Sequence, residues 1–425
     1  MLEVNNIRKN KDIAVAGLQK RGIVNAEEIL DEIIRLDDER KNTQTQSDKI
    51  LNELKTASKE IGDLYKSGKA AEANAKKAMV GDLKQESTVL EDKLKSVVIQ
   101  LEEKLLEVPN VPNEIVPAGK TEDDNIIEQD WTSELPHLPE SALPHWDILT
   151  KYDIVDFDLG VKIAGSGFPL YKGKGAKLQR ALIQFFLDEA IAAGCLEILP
   201  PHLVNEDTAR GTGQLPDKEG QMYHVTKDNL YLIPTAEVPV TNIFRNEILQ
   251  EDALPYKLTA YTPCFRREAG SYGSDVKGLN RVHQFDKVEM VVVSKPENSY
   301  EILDEMVDHV KQLLEKLNLP YRILRLCAGD LGFTSAITYD FEVYSAAQKK
   351  WLEVSSVSNF ETFQSNRMKI RYKNTDGKSE LVHTLNGSVL ALARIFAAIL
   401  ENNQTENSVE IPEILKPYTG FERIN

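Results

Sequence analysis

The stretch "FRREAGSYGSDVKGLNRVHQFDKVEM", residues 265–290, packs arginines and carboxylates onto what otherwise reads as a β-hairpin. Strands are predicted over 258–268 and 281–293, joined by a connection that holds Gly270, Gly273 and Gly278. Side chains alternate faces along a strand. Arg266 and Glu268 therefore share one face, with Phe265 and Arg267 on the other. On the return, Arg281, His283, Phe285, Lys287 and Glu289 share a face, and Val282, Gln284, Asp286, Val288 and Met290 take its opposite. One face of the hairpin thus offers two arginines, two carboxylates and an aromatic ring. Arginine binds phosphate oxygens bidentately, phenylalanine stacks on a base, and a carboxylate accepts from an exocyclic amine. That is a nucleotide site in outline, and a salt-bridged amphipathic sheet with Phe285 in its core fits the pattern too.

Outward from the hairpin the pattern stays mixed. An amphipathic helix over 176–193 leads into "CLEILPPHLVN", and short β-rich runs follow at 230–233, 322–328, 339–344 and 351–357. A last helix is predicted over about 389–401. Helices flanking a series of antiparallel hairpins define an α+β domain, and no internal repeat or low-complexity tract interrupts it.

The first 110 residues differ in kind. No proline occurs from Asn25 to Val108, and apolar residues recur at alternating spacings of four and three. Ile29, Ile33, Leu36, Ile50, Leu54, Ala57, Ile61 and Leu64 hold one register, with Arg40, Thr43 and Ser47 keeping it as polar residues. After "YKSGKA" (65–70) a second series runs through Val80, Leu83, Leu90, Leu94, Val97, Leu101 and Val108. Two long helices around a glycine turn make an antiparallel coiled-coil hairpin. Helices of about 38 residues would reach roughly 55 Å. Near the turn, residues 55–77 carry six lysines (55, 59, 66, 69, 76, 77) against Glu60, Asp63 and Glu72. This basic tip suits a polyanion, although charge runs are also ordinary solvated helix surface. "VPNVPNEIVPAGKTEDDN" (108–125) reads as a linker, giving domains at 1–110 and 111–425.

Over all 425 residues the formal charge is −16, which argues against a generally basic nucleic-acid coat and leaves room for a local basic patch. Cys195, Cys264 and Cys327 form no CxxC pair, which argues for a reducing compartment and against a cysteine-based zinc site. The opening "MLEVNNIRKN" lacks the apolar core of a signal peptide. The longest apolar run, "VLALARIFAAIL" (389–400), carries Arg394 and is too short for a bilayer. A cytoplasmic protein with no membrane partner is expected.

The hairpin resembles motif 2 of the class II aminoacyl-tRNA synthetases, in the form found in the seryl-tRNA synthetase family. "GSGFPLYKGKGAKLQRALIQFFLD" and Pro201 of "LPPHLVN" resemble the family's motif 1 (about 176–205), and motif 2 spans about 259–293. "GTGQLP" (211–216), "PTAEVP" (234–239), "EVSSVSNFETFQSNR" (353–367) and "HTLNGS" (383–388) follow in the family's order, the last opening motif 3 (about 383–401). The N-terminal hairpin is similar to the family's tRNA-binding arm. The resemblance implies an antiparallel class II catalytic domain flanked by helices.

It also implies an activity: serine and ATP give seryl-adenylate and pyrophosphate, and the seryl group then passes to the 3′ end of the tRNA. Such displacements need positioning and charge neutralisation and no covalent enzyme intermediate. By resemblance, Arg266 binds the α-phosphate, Glu268 the adenine amine and Phe285 the ring, while Arg281 lies near the outer phosphates and Arg394 clamps the opposite ring face. Arg266 and Arg394 are the catalytic pair, and Arg267, Val282, Val354 and Ser355 complete the ATP-binding set. Thr235, Ala236, Glu237, Arg266, Glu289, Asn386 and Ser388 line the serine pocket. Mg²⁺ falls to Glu353 and Ser356, whereas simple alternation would pair Glu353 with Ser355. Family members often have glycine where Val389 and Ala393 stand, a difference that either narrows the serine pocket or repacks the helix. Implied partners are tRNA-Ser (tRNA-Sec being left open) and a second copy of the chain, the arm of one subunit serving the other's site.

Other readings have their own marks. A threonyl or prolyl enzyme is expected to carry an anticodon domain, for which the 31 residues after Arg394 are few. A non-catalytic synthetase paralogue that binds RNA is expected to lack Arg266, Glu353 or Arg394, and an amino-acid ligase acting on a carrier protein is expected to lack the arm.

Overall fold

The computed structural model describes residues 1–268 and 277–425, which fall into two compact units. One comprises Leu2–Gln19 and Ile23–Pro109, and the other comprises Met1, Lys20–Gly22 and Asn110–Asn425.

The first unit begins with short helices α1 (Val4–Lys9) and α2 (Lys11–Lys20). Long helices α3 (Ala26–Lys66) and α4 (Ala70–Glu107) follow, reversed on each other at Gly68, whose φ of 72° lies in the left-handed region. Contacts at Lys93–Glu39 (3.1 Å) and Tyr65–Asn74 (2.8 Å) run in opposite order along the two helices, as an antiparallel pair requires. The seam buries Leu30, Ile33, Leu36, Ile50 and Ala57 of α3 against Ala73, Val80, Leu83, Val97 and Leu101 of α4. Thr43 and Ser47 are buried in it as well, so their register reading is structural. The burial departs from the heptad reading in places: Leu30 is buried where Ile29 is not, Arg40 turns aside to pair with buried Asp37 at 2.8 Å, and Leu54, Ile61, Leu64, Leu90 and Leu94 are only half-buried. Burial alone would raise the Asp37 carboxyl, but hydrogen bonds from Lys41, Arg40 and Arg8 bring it down to about 2. At the tip, Glu60, Asp63 and Glu72 are taken up by Lys76, Lys66 and Lys69. Lys55, Lys59 and Lys77 are exposed and make no ion pair among the described residues.

The second unit is built on one eight-stranded sheet. Its strands are β1 (Ile126–Gln129), β2 (Leu196–Glu197), β3 (Tyr256–Phe265), β4 (Gln284–Ser294), β5 (Tyr321–Arg325), β6 (Ile337–Ser345), β7 (Lys350–Asn359) and β8 (His383–Ala391). The order is β1-β5-β6-β7-β8-β4-β3-β2, antiparallel throughout except where edge strand β2 runs parallel to β3. Helices that bear on the sheet and the site are α5 (His145–Lys151), α6 (Gly173–Ala192), α7 (Glu237–Thr241), α8 (Ser299–Lys316), α9 (Phe363–Met368) and α10 (Leu392–Asn402).

Helix α6 turns Leu178, Leu182, Phe185 and Phe186 inward at helical spacing, and α8 does the same with Leu303, Met306, Val310 and Leu313. With α10, buried on almost every side, they join Val288, Met290 and Val292 of β4 in the main core. The alternate residues of β4, Val291 and Val293, face the other way into a smaller core with Leu258, Ala260, Val240 and Met368. The period-two alternation of β4 therefore separates the packed face from the face that carries the cleft.

Several boundaries differ from the sequence reading, three of them beside the cleft. The first hairpin strand ends at Phe265 instead of 268, the return begins at Gln284 instead of 281, and 383–391 is a strand where none was expected. The last helix accordingly starts at Leu392, after Leu390 turns the chain at φ 75°. A continuous apolar run cannot be divided into strand and helix by periodicity alone. Gly270 and Gly273 lie outside the described residues.

Candidate active site

Pairing between β3 and β4 sets the floor of the site. Cys264 lies opposite Phe285, Thr262 opposite Lys287 and Ala260 opposite Glu289, so Phe285, Lys287 and Glu289 share a face. Past Phe265 the chain leaves the ladder. The Arg266 N–H still donates to the His283 carbonyl (2.9 Å), the Arg267 N–H donates to the Gln221 carbonyl (2.9 Å), and Glu268 takes a left-handed φ of 48°. Strand alternation therefore does not place Glu268; this turn does, and its carboxylate accepts from Arg281 Nη1 at 2.9 Å. The Arg266 guanidinium sits 5.3 Å from the centre of the Phe285 ring, a cation–π distance.

These groups open into a cleft of about 550 Å³. Of the residues expected at a site, Arg266, Glu268, Arg281, Val282, Phe285, Glu353, Val354, Ser355, Ser356 and Arg394 line it, as do Thr235, Glu237, Asn386 and Ser388. Three do not. Ala236 is fully buried in the smaller core, Arg267 lies off the lining, and Glu289 is buried beneath the floor. Of the two motif 3 residues singled out in the sequence, Val389 packs in the main core, away from the cleft, while Ala393 lines it.

At one end of the cleft two carboxylates converge on a single amide. Asn386 Nδ2 donates to Glu237 Oε2 at 3.0 Å and to Glu289 Oε1 at 2.9 Å. Glu289 Oε2 also takes the Lys287 ammonium (2.5 Å) and the Thr235 hydroxyl (3.3 Å), while Gln364 Nε2 donates to Glu237 Oε1 at 2.6 Å. Thr384 in turn orients Gln364 (2.8 Å). Burial pushes the Glu237 carboxyl up to about 7, with Glu289 adding to the rise and Gln364 opposing it. A buried acidic pocket of this kind matches an ammonium group. Lys287 and Gln364 were given no role by the sequence reading. Alternation puts Lys287 on the right face, and Gln364 stands inside the matched stretch 353–367 with no periodicity to single it out there.

The opposite end holds Arg394, Glu353 and Ser356. Arg394, in the first turn of α10, donates from Nε to the Asn280 carbonyl (3.1 Å) and from Nη1 to the Glu353 carbonyl (2.5 Å). A β-bulge settles the alternation problem at 353–356. Phe341 pairs with Ser355 but Glu342 pairs with Glu353, so Val354 is the extra residue. Glu353 and Ser356, opposite Glu342 and Asp340, therefore share a face, with the Ser356 hydroxyl 3.5 Å from Glu353 Oε1. Asp340 Oδ1 is a buried oxygen with no partner among the described residues. Burial, followed by the Glu353 charge, raises the Asp340 carboxyl well above its ordinary value. An all-oxygen set with an unsatisfied carboxylate oxygen beside it fits a hard divalent cation such as Mg²⁺.

The eight-stranded, almost wholly antiparallel sheet with arginines along its cleft is the architecture of a class II synthetase core. Residues 223–403 match the family model described as "tRNA synthetase class II core domain (G, H, P, S and T)". Residues 1–112 match "Seryl-tRNA synthetase N-terminal domain". The serine--tRNA ligase of Salinibacter ruber is 48% identical, over 100% of this chain and 99% of that protein. The crystal structure of seryl-tRNA synthetase from Pyrococcus horikoshii complexed with ATP superposes with a TM-score of 0.91 at 35% identity, covering 100% of this chain and 99% of the other. The cytoplasmic serine-tRNA ligase of Naegleria fowleri in complex with AMP gives 0.86 at 26% identity, with the same coverage. The chain belongs to the seryl-tRNA synthetase family.

The raised Glu237 carboxyl has a signed consequence. An acid whose folded value lies above its unfolded one contributes stability below its ordinary value of 4.5 and loses it as pH rises through about 7. The melting temperature of the ligand-free protein should carry a component that falls across that window, and Glu237→Gln should remove it. An unchanged slope in the variant would show that Glu237 is not the titrating group.

Proposed function

We propose that the cleft joins L-serine to ATP, forming seryl-adenylate and pyrophosphate, and then transfers serine to the 3′ end of tRNA-Ser. One observation carries this reading: a single cleft holds a phosphate-type end (Arg266, Arg281, Arg394) and an ammonium-type end (Glu237 and Asn386, with Glu289 bonded to Asn386 from beneath the floor). A serine carboxylate oxygen attacks the α-phosphorus, and the bond to the bridging oxygen breaks to release pyrophosphate. Arg266 neutralises charge on the α-phosphate and meets the serine carboxylate, which ties both reactants to one guanidinium. Phe285 and Arg394 sandwich the adenine, and the Glu268 carboxylate accepts from its amino group, exchanging Arg281 for that partner. Arg281 reaches the outer phosphates. In the second step a ribose hydroxyl of the tRNA attacks the seryl carbonyl carbon and AMP departs.

The ammonium of serine meets the acidic pocket, and Thr235 and Ser388 face its hydroxyl side. Alanine offers no hydroxyl to Ser388 or Thr235, which supports discrimination against it. Glu353 and Ser356 would hold Mg²⁺, which would supply charge neutralisation between phosphates.

The arm is the proposed tRNA-Ser contact, and tRNA-Sec is a second candidate for the same surface. Lys55, Lys59 and Lys77, exposed and without an ion pair among the described residues, support it. A homodimer is supported by apolar residues at the sheet edge: Leu199 is 81% exposed and Leu196, on β2, 63%. No helix among the described residues is long and apolar enough to cross a membrane. Three free cysteines support a cytoplasmic location, which cell fractionation reads directly.

Purified protein should catalyse serine-dependent exchange of pyrophosphate into ATP, and Arg266→Ala should lose at least about 3 kcal/mol of transition-state stabilisation, or roughly a hundredfold in rate. No exchange with serine, together with no charging of tRNA-Ser, would refute the reading. Deleting residues 51–80 should spare exchange and abolish aminoacylation; surviving charging would remove the arm from tRNA binding. Sedimentation should give a dimer, with Leu199→Asp shifted to monomer, and a monomeric wild type would exclude the assembly.

A further inference from the structure

Behind the cleft wall lies a polar network that the proposed reaction does not use. His145, the first residue of α5, and Glu401, near the end of α10, are both wholly buried and meet at 2.7 Å between Nδ1 and Oε1. The other ring nitrogen, Nε2, accepts the Leu279 backbone N–H at 2.9 Å. A nitrogen that accepts carries no proton, so Nδ1 is the protonated one and donates to Glu401. Glu401 is saturated with donors. Its Oε1 also takes the His145 backbone N–H (2.9 Å) and Gln348 Nε2 (2.9 Å), and its Oε2 takes the Ser345 hydroxyl. Burial opposes ionisation here, but the bonds from His145 and Ser345 hold the carboxyl below its ordinary value.

This network grips consecutive residues that lead from the motif 2 connection into β4. Lys277 lies over the Trp146 ring at 4.5 Å. Gly278, at φ 67°, sits so close that a Cβ there would lie 2.3 Å from His145 Nε2. Leu279 is bonded to the imidazole, and Asn280 Nδ2 donates to Gln348 Oε1 at 3.0 Å. The carbonyl of that same Asn280 receives Arg394 Nε at 3.1 Å. Glu401 and Arg394 also share helix α10. One imidazole thus ties the exit of the connection to the helix that carries Arg394, from both sides.

We infer that His145, acting through Leu279, Gln348 and Asn280, is a positioning residue for the nucleotide clamp formed by Arg281 and Arg394. The inference rests on the role given to those arginines above. A histidine suits the post because one ring must accept a backbone N–H on one side and donate to a carboxylate on the other. Alanine leaves the Leu279 N–H buried and unpaired and takes one of four donors from Glu401, whereas glutamine restores an acceptor near the place of Nε2.

The test is pyrophosphate exchange with ATP and serine varied separately. His145→Ala should raise KM for ATP about tenfold while KM for serine stays within about twofold, and His145→Gln should recover at least half of the loss. Gln348→Ala keeps the imidazole and its bonds to Leu279 and Glu401, removes the link between Asn280 and Glu401 together with a 3.4 Å contact to His145 Nδ1, and should raise KM for ATP about threefold even if His145→Ala fails to fold. A purely structural histidine would lower the melting temperature and the yield of active protein without separating the two KM values. Unchanged KM for ATP in Gln348→Ala and in whichever His145 variant folds overturns the inference, as does an equal rise for both substrates. The parent reading fails differently: wild-type protein without serine-dependent exchange, or Arg394→Ala binding a non-hydrolysable ATP analogue as tightly as wild type, takes both down.

Discussion

A carboxylate can be buried against an apolar sheet only if donors replace the water it gives up. Glu237 and Glu289 lie almost wholly out of solvent, on elements that are far apart in sequence. The amide of Asn386 is what holds them together, with Lys287 balancing one charge and Gln364 satisfying the other. Much of the unit's topology follows from that demand. Strands β4 and β8 must be neighbours for Asn386 to reach Glu289, and α7 and α9 must both close over this end for Glu237 to meet Gln364. The compensation is local and leaves an acidic pocket poised for a cationic guest.

The phosphate end solves the opposite problem. Its arginines remain at a lined surface, steered by weak, exchangeable partners: a carbonyl, a carboxylate and an aromatic ring. Such contacts fix direction at small cost and can be given up when phosphate oxygens offer better ones. One cleft therefore pairs a rigid, fully satisfied end with an adjustable one.

How much of this was legible in the sequence depended on range. Local period is visible, so the two arm helices and the β3–β4 hairpin could be read, and alternation put Phe285, Lys287 and Glu289 on one face as the pairing does. Departures from period are not visible. The bulge at Val354 lies among residues that would serve equally well in a regular strand, and Glu268 left the ladder at a turn next to residues outside the description. Strand β8 runs into α10 without a polar break, and only the left-handed Leu390 marks the change. Contacts across 256 positions, such as His145 with Glu401, leave no mark in one sequence. The expected site residues came from matched motifs, and the three that miss the lining, Ala236, Arg267 and Glu289, sit beside residues that reach it.

The buried seam of the arm constrains how such an arm can change in length. Residues of α3 face residues of α4 in reverse order, so a contact near the base and one near the tip belong to a single continuous register. Inserting residues into one helix alone would slide every pair beyond the insertion. Growth or shortening that preserves the seam comes as matched heptads in both helices, each step moving the turn by about 10 Å. The reach of the hairpin is thereby quantised, and a lineage that needed a different span would have to alter both helices together.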